Sequence, residues 1–400
     1  MNAFTLRARW VLPIDRPPIA GGYVSIADGR IAAIGAADSG LGPVEDLGDV
    51  VVMPGLINAH THLEFSALPQ PLGTRGMSLP EWIRLVIGDR KRGDRDSTAA
   101  IAQGLRESLA SGVTTLGEIA TSPPALYAIA EPAPTTLLFQ EAIGFSAGRV
   151  DSVFADVQRR LDEAPSPAGL SPHAPYTVHP RLLERLVELA SSRGTPVATH
   201  LAESREELEL LASGGGPFRE LLEQRSMWDA NAISRGTRPL DCLRRLAGAP
   251  RSLVIHGNYL AADEIEFVAQ QRGRMSVVYC PRTHAYFEHE PYPLEAMRAA
   301  GVRIALGTDS RASNPDLRVL EEVRYVANSY PGVSPRDALR MATLDAAEAL
   351  GLADHAGSLT VGKRADLVAI SVGVQHDDPY QAVIDAADVP LQTWLGGQRV

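Results

Sequence analysis

The chain has 400 residues and a formal net charge of −10, and it lacks the clustered Lys and Arg that hold a nucleic-acid backbone or an anionic membrane. Hydrophobic residues make up 45% and charged residues 22%, enough apolar material for a large core, which excludes a disordered chain. Two cysteines, Cys242 and Cys280, cannot build a disulfide framework; with no signal-peptide core and no uncharged apolar run of about 20 residues, the sequence predicts a soluble cytoplasmic protein.

Residues 1 to about 50 read as short strands joined by turns. Residues 4–12 form one, and residues 23–26 and 30–34 flank Asp28-Gly29, a dipeptide that favours a tight hairpin turn. So small a β unit cannot bury a core alone and needs further strands. Residues 357–362, 365–370 and 392–399 supply them, which predicts a small β-sandwich built from both termini, residues 1–52 and 356–400. Between them, residues 53–355 alternate apolar runs with helical segments, the βα signature. Eight runs are legible: 52–62, 114–119, 136–143, 169–176, 196–201, 252–259, 275–280 and 302–308. Eight is the number that closes a barrel, so the predicted fold class is α/β, a (β/α)8 TIM-like barrel. Helical periodicity fills the gaps at 98–111, 181–193, 263–271 and 335–349. The connection from 203 to 250 exceeds an ordinary βα loop and reads as an active-site insertion.

The first run ends in His60-Thr61-His62. Side chains of an extended strand alternate faces, so the two histidines point the same way and can grip one ion. An open doubly wound sheet would place a glycine-rich phosphate turn here instead. His173 lies on run four, His200 ends run five, His256 ends run six and Asp309 follows run eight. In a barrel the strand C-termini ring one mouth, so these distant residues converge there. Buried imidazoles and carboxylates need partners or a metal, and core packing alone does not account for so many at corresponding strand ends.

Five motifs appear in order: Pro-Gly-Leu-Ile-Asn-Ala-His-Thr-His, Ser-Pro-His-Ala-Pro-Tyr-Thr, Thr-His-Leu-Ala-Glu, Ile-His-Gly and Gly-Thr-Asp-Ser; Gly-Ser-Leu-Thr-Val-Gly-Lys-Arg-Ala-Asp-Leu-Val closes the set. This set resembles the amidohydrolase superfamily, in its metal-dependent deaminase and chlorohydrolase branch. The resemblance implies that His60, His62, His200 and Asp309 bind one divalent metal, with zinc first and iron the alternative. Two-metal members carry a carboxylated lysine on strand four, where this chain has His173, so a single ion is expected. The metal would activate a water, Asp309 would take its proton, Glu203 would protonate a ring nitrogen of an amino-heterocycle, and His256 would stabilise the attacking oxygen.

The substrate is less sharply indicated. The motif around His173 resembles that of deaminases acting on S-adenosylhomocysteine and methylthioadenosine, where this histidine contacts the sugar. Those deaminases carry a ribose-binding glutamate downstream of a Glu-Trp pair; here Glu81-Trp82 is followed by Val86-Ile87-Gly88-Asp89-Arg90-Lys91, with no glutamate. Glu64 and Glu141 add carboxylates at the mouth instead, a variant similar to the aminodeoxyfutalosine deaminases. Arg149 has two readings, a contact to ribose or a carboxylate tail and an exposed charge; Glu118 lines the pocket or caps a helix. The expected partner is therefore a small molecule, an adenine-type nucleoside, with no nucleic acid and no membrane. Related enzymes are often dimers, which makes a homodimer an expectation without a legible interface. The rival readings are a hydrolase of a free base or another ring C–N bond (guanine, imidazolone or triazine type) and a non-catalytic scaffold barrel.

Overall fold

The structure is a computed structural model that describes residues 3–36, 40–93, 96–128, 132–373, 376–387 and 392–400. Eight parallel strands form its centre: β1 Leu56–Thr61, β2 Val113–Ala120, β3 Thr135–Ala142, β4 Ala168–Pro172, β5 Val197–Leu201, β6 Ser252–His256, β7 Met275–Tyr279 and β8 Ile304–Leu306. Each pairs with its neighbour in sequence order, and an isolated parallel bridge between Thr61 and Asp309 joins the last to the first. The result is the expected (β/α)8 barrel. Its strands read as nearly continuous apolar runs because both faces are covered, which is what a parallel sheet requires.

Two further sheets hold the chain ends. One is four-stranded, in the order Arg30–Ala36, Gly22–Ala27, Ala3–Arg7, Val44–Asp46; the other has six strands, among them Trp10–Val11, Val50–Pro54, Leu367–Ser371 and Gln392–Leu395. Both termini contribute, and Leu6, Val24, Val52, Leu367 and Trp394 share one buried core between the sheets. The Asp28-Gly29 turn has φ of 51° and 75°, the left-handed pair that matches a hairpin's twist.

Four expectations about elements need correction. The apolar run 52–62 is two strands: Val50–Pro54 lies in the six-stranded sheet, and the barrel begins at Leu56. Gly55 makes the passage, since a Cβ there would fall 2.2 Å from the Thr114 side chain. Residues 4–12 likewise divide between both sheets. Residues 357–362 are a turn rather than a strand, tied down by Leu359 N–H to Pro13 O and Gly362 N–H to Ile31 O. The helix expected at 335–349 breaks into Pro335–Met341 and Leu344–Leu350 where the Thr343 hydroxyl bonds back to Leu339 O at 2.7 Å. The 203–250 insertion carries three helices, Arg205–Ser213, Pro217–Gln224 and Pro239–Leu246.

The barrel seam positions the site. Asn58 of β1 donates to Thr308 Oγ1 at 2.7 Å and accepts from Thr308 N at 3.1 Å, and Asp309 N donates to His60 O at 3.1 Å. Gly307 permits this closeness, because a Cβ there would meet the His60 backbone at 2.9–3.0 Å. Asn58→Ala strands the buried Thr308 N–H and should lower unfolding free energy by about 1–3 kcal/mol, read as a lowered urea midpoint at unchanged m. An unchanged midpoint would show that the seam does not depend on this pair.

Candidate metal centre and active site

β1 delivers His60 and His62 together, with ring centroids 4.9 Å apart. His200, at the end of β5, brings its ring to 5.0 Å from His60 and 5.6 Å from His62. One ring nitrogen from each of the three lies within 4.8 Å of the others. Across the seam, Asp309 Oδ1 is 3.7 Å from Nε2 of both His60 and His62, while Oδ2 accepts from Ser313 Oγ at 3.0 Å.

The donor set passes a test on its own chemistry. Both ring nitrogens of His60 and Nδ1 of His62 are buried without a hydrogen-bond partner. His200 Nδ1 donates to the His173 carbonyl at 3.0 Å, which fixes the tautomer and leaves Nε2 with its lone pair. Burial, reinforced by neighbouring imidazoles, pushes His62 and His200 well below the usual histidine range, so both rings are neutral. Burial alone would raise Asp309, but the surrounding imidazoles, His60 foremost, hold its carboxyl below the ordinary value and keep it anionic. Neutral imidazoles with unused lone pairs beside a carboxylate suit one divalent ion such as zinc or iron.

Next to this set stands a carboxyl–imidazole pair. Glu203, just past β5, places Oε1 3.4 Å from His256 Nε2. Burial pushes the Glu203 carboxyl well above the usual carboxylate range, the charges of Asp309 and Glu207 add to this, and a hydrogen bond from Tyr176 opposes it. Burial pushes His256 well below the usual histidine range. His256 and Asp309 have φ of 67° and 55°, a left-handed backbone that costs about 1–3 kcal/mol each at non-glycine residues and marks sites where geometry outranks stability.

His173 lies one ring further along, 4.9 Å from His200. The Thr177 hydroxyl donates to Ala174 O, so its 2.6 Å contact with His173 Nδ1 is accepted from the ring, leaving Nε2 as a free acceptor. Burial, then the Arg90 charge, holds His173 down at about 3, so it is a neutral acceptor. These groups line a cavity of about 380 Å³ whose other wall is apolar: Trp82 and Val86 from the helix Leu79–Arg92, and Phe218 and Leu221 from the helix Pro217–Gln224.

Glu141, ending β3, reaches the cavity wall; burial raises it, and Arg90 and Arg160 pull it back. Glu64 is taken up by an ion pair with Arg90. Arg149 is exposed and lines a neighbouring cleft that shares Arg90, Glu141 and Ile143 with the cavity. Glu118 resolves as a clamp: both its oxygens accept from Leu63 N at 3.0 Å, fixing the turn after His62. The residue that sequence reasoning missed is Arg90, which lines the cavity and lies 5.2 Å over the Phe65 ring. Its signal was present in the spacing of Trp82, Val86 and Arg90 at four-residue intervals, one face of a helix.

Comparison with known proteins agrees with this geometry. The model of the amidohydrolase family matches residues 51–400. An aminodeoxyfutalosine deaminase of Deinococcus radiodurans is 34% identical over 327 residues, covering 74% of this chain and 73% of that protein. A 5-methylthioadenosine/S-adenosylhomocysteine deaminase of Moorella thermoacetica is 31% identical over 400 residues, covering 94% of this chain and 87% of the relative. The crystal structure of an adenosine deaminase from Xanthomonas campestris with bound zinc superposes with a TM-score of 0.81 at 26% identity, over 99% of this chain and 92% of the other. Since the family match runs through the barrel and every strand end that carries the donor set, the chain belongs to the amidohydrolase family.

Proposed function

We propose that the chain is a metal-dependent hydrolytic deaminase that replaces the exocyclic amine of an adenine-type nucleoside by oxygen and releases ammonia. The observation that carries this reading is the meeting, in one buried cavity, of the imidazole–carboxylate donor set with a high-pKa Glu203 beside His256. His60, His62, His200 and Asp309 would hold the ion, which we read as zinc. When bound, such an ion supplies Lewis-acid charge and lowers the pKa of water from 15.7 to about 7.

The protein groups then divide the proton work. Asp309, kept anionic, accepts the proton of the attacking water. Glu203, kept protonated, delivers its proton to the ring nitrogen beside the amine-bearing carbon, so charge does not build up on the ring. His256, 3.4 Å from Glu203, is placed to hydrogen-bond the attacking oxygen. As the tetrahedral centre collapses, Asp309 passes the water proton to the departing amine, the hydroxyl proton of that centre returns to Glu203, the C–N bond breaks, ammonia leaves and the carbonyl product remains.

The substrate reading rests on what lies beyond the reaction end. A free base would leave the His173 acceptor, Glu141 and Arg90 unused, whereas a nucleoside extends toward them with hydroxyl groups. Glu64 acts in this reading through Arg90, and Arg149 from the adjoining cleft. We rank aminodeoxyfutalosine first, ahead of S-adenosylhomocysteine and methylthioadenosine, an order that the name of the Deinococcus radiodurans relative supports.

Ammonia release from aminodeoxyfutalosine, methylthioadenosine, S-adenosylhomocysteine, adenosine and free adenine, with zinc-loaded and apo protein, tests the reading. Metal-dependent turnover of one nucleoside is expected; turnover of free bases alone would sink the nucleoside assignment. Glu203→Gln should retain metal and lose kcat by about 100-fold or more, and a metal-loaded, fully active variant would remove Glu203 from proton transfer. His200→Ala should lose bound metal, measured by elemental analysis, together with some of the thermal stability that metal binding contributes. Full metal occupancy in that variant would exclude His200 as a ligand.

A further inference from the structure

A buried carboxylate that gives and takes no proton in the steps above stands beside Glu203, whose pKa its charge helps to raise. Glu207 is fully buried in the first turn of the helix Arg205–Ser213. Among the described residues no Lys, Arg or His forms an ion pair with it, and burial pushes its carboxyl up to about 7. Burying an unpaired carboxylate is costly, so its contacts must return something specific.

Helix capping accounts for only part of it, the contact of its carboxylate with the Ser204 amide. Ser204 already caps this helix, its hydroxyl accepting from Glu207 N at 3.2 Å. In a capping box the glutamate at the third helical position reaches back to the N–H of the cap residue itself. Here the Glu207 carboxylate makes that contact and also reaches further: Oε1 accepts from Ala202 N at 2.9 Å and Oε2 from Glu203 N at 2.8 Å. Those are the two residues that lift Glu203 off the end of β5. Ala202 has φ of 52°, a left-handed conformation costly for alanine that must be held by its surroundings. The same turn is gripped from the other side, where Asn258 Nδ2 donates to Glu203 O at 2.9 Å and Tyr259 N donates to Ala202 O at 3.0 Å. Adjacent amides held by two oxygens of one group need a carboxylate, because an amide side chain offers one acceptor and would turn an NH2 toward the second N–H.

We propose that Glu207 is a positioning residue of the deamination reaction: its bidentate grip on the Ala202 and Glu203 amides fixes the strained turn that aims the Glu203 carboxyl at the reacting ring and at His256. The inference rests on the proposed role of Glu203 as proton donor. It adds a residue that touches neither substrate nor metal and acts through Glu203 alone. A donor displaced by about 1 Å loses on the order of 100-fold in rate while the ground-state contacts of the substrate persist.

The test uses the zinc-loaded full chain and whichever substrate of the ammonia-release panel is turned over fastest. Glu207→Gln should keep its metal and its KM within about two-fold and lose kcat by about 10–100-fold. The decisive comparison is the same substitution in the Glu203→Gln background, where residual turnover should change by less than about two-fold, since residues that act as one unit are not additive. If Glu207→Gln does not fold, Glu207→Asp, one methylene too short to span both amides, goes through the same pair of measurements with the same expectation. An unchanged kcat, a loss carried by KM, or an equal loss in both backgrounds overturns the inference, the last by showing a merely structural role. Silence of the metal-loaded wild-type protein on the whole panel would overturn the proposed function itself, and this inference with it.

Discussion

The seam between the first and last barrel strands is the constraint on which the site depends. His60 and His62 stand on one side of it and Asp309 on the other, so closing the barrel and assembling the donor set are one event. The close approach is built from small and specific parts: Gly307 where any side chain would collide, and Asn58 pairing twice with Thr308. Most of the barrel tolerates apolar substitution at similar volume; the seam does not, because its contacts are backbone to backbone and polar.

Around the mouth, buried glutamates recur as clamps on backbone. Glu118 holds the amide after His62, and Glu207 holds the two before Ser204. Glu264 accepts from Ala261 N and Leu240 N, and Glu322 accepts from Arg282 N and Asn314 Nδ2. The need follows from the architecture. Strands end at the mouth, so the loops that carry the chemistry leave the sheet's hydrogen-bond ladder just where the backbone is still buried, and unpaired N–H groups there are costly. A carboxylate with two strong acceptors satisfies such a turn from a distance. Glu322 pairs with Arg282 and Glu264 with Arg238, whereas among the described residues Glu118 and Glu207 have no cation, which makes them the costlier two of the set.

How much of this was legible in the sequence follows from the same physics. The strand-end histidines and Asp309 were readable because a period of two and the order of βα units convert sequence position into location around a ring. Boundaries were less readable where an apolar run crosses from one buried layer to another, as at Pro54-Gly55: both strands are fully covered, and nothing in composition separates them. The helix break near Thr343 turns on one hydroxyl, below the resolution of periodicity. Sequence position also brought Glu64 and Arg149 to the mouth, yet it could not tell a side chain that faces the cavity from one absorbed by a neighbour. Glu64 is absorbed by Arg90, and that partner comes from a helix whose apolar face, read without the barrel beneath it, looks like ordinary packing.

The cavity separates its two tasks in space. Its polar side is fastened to strand ends by backbone and carboxylate contacts, which suits groups whose proton transfers fail when they move by a fraction of an ångström. Its apolar side rides on two helices in the connections, Leu79–Arg92 and Pro217–Gln224. Glycines with left-handed φ flank them: Gly76 and Gly93 around the first, Gly214 and Gly216 before the second. Apolar contact is non-directional and tolerates small shifts, so it belongs where the scaffold is least constrained. Arg90 joins the two sides, since it projects from the first helix yet is tied through Glu64 to the turn that follows His60 and His62. A change on the helices therefore reshapes the apolar wall and leaves the strand-end groups in place, and Arg90 is the point where the two cannot be varied independently.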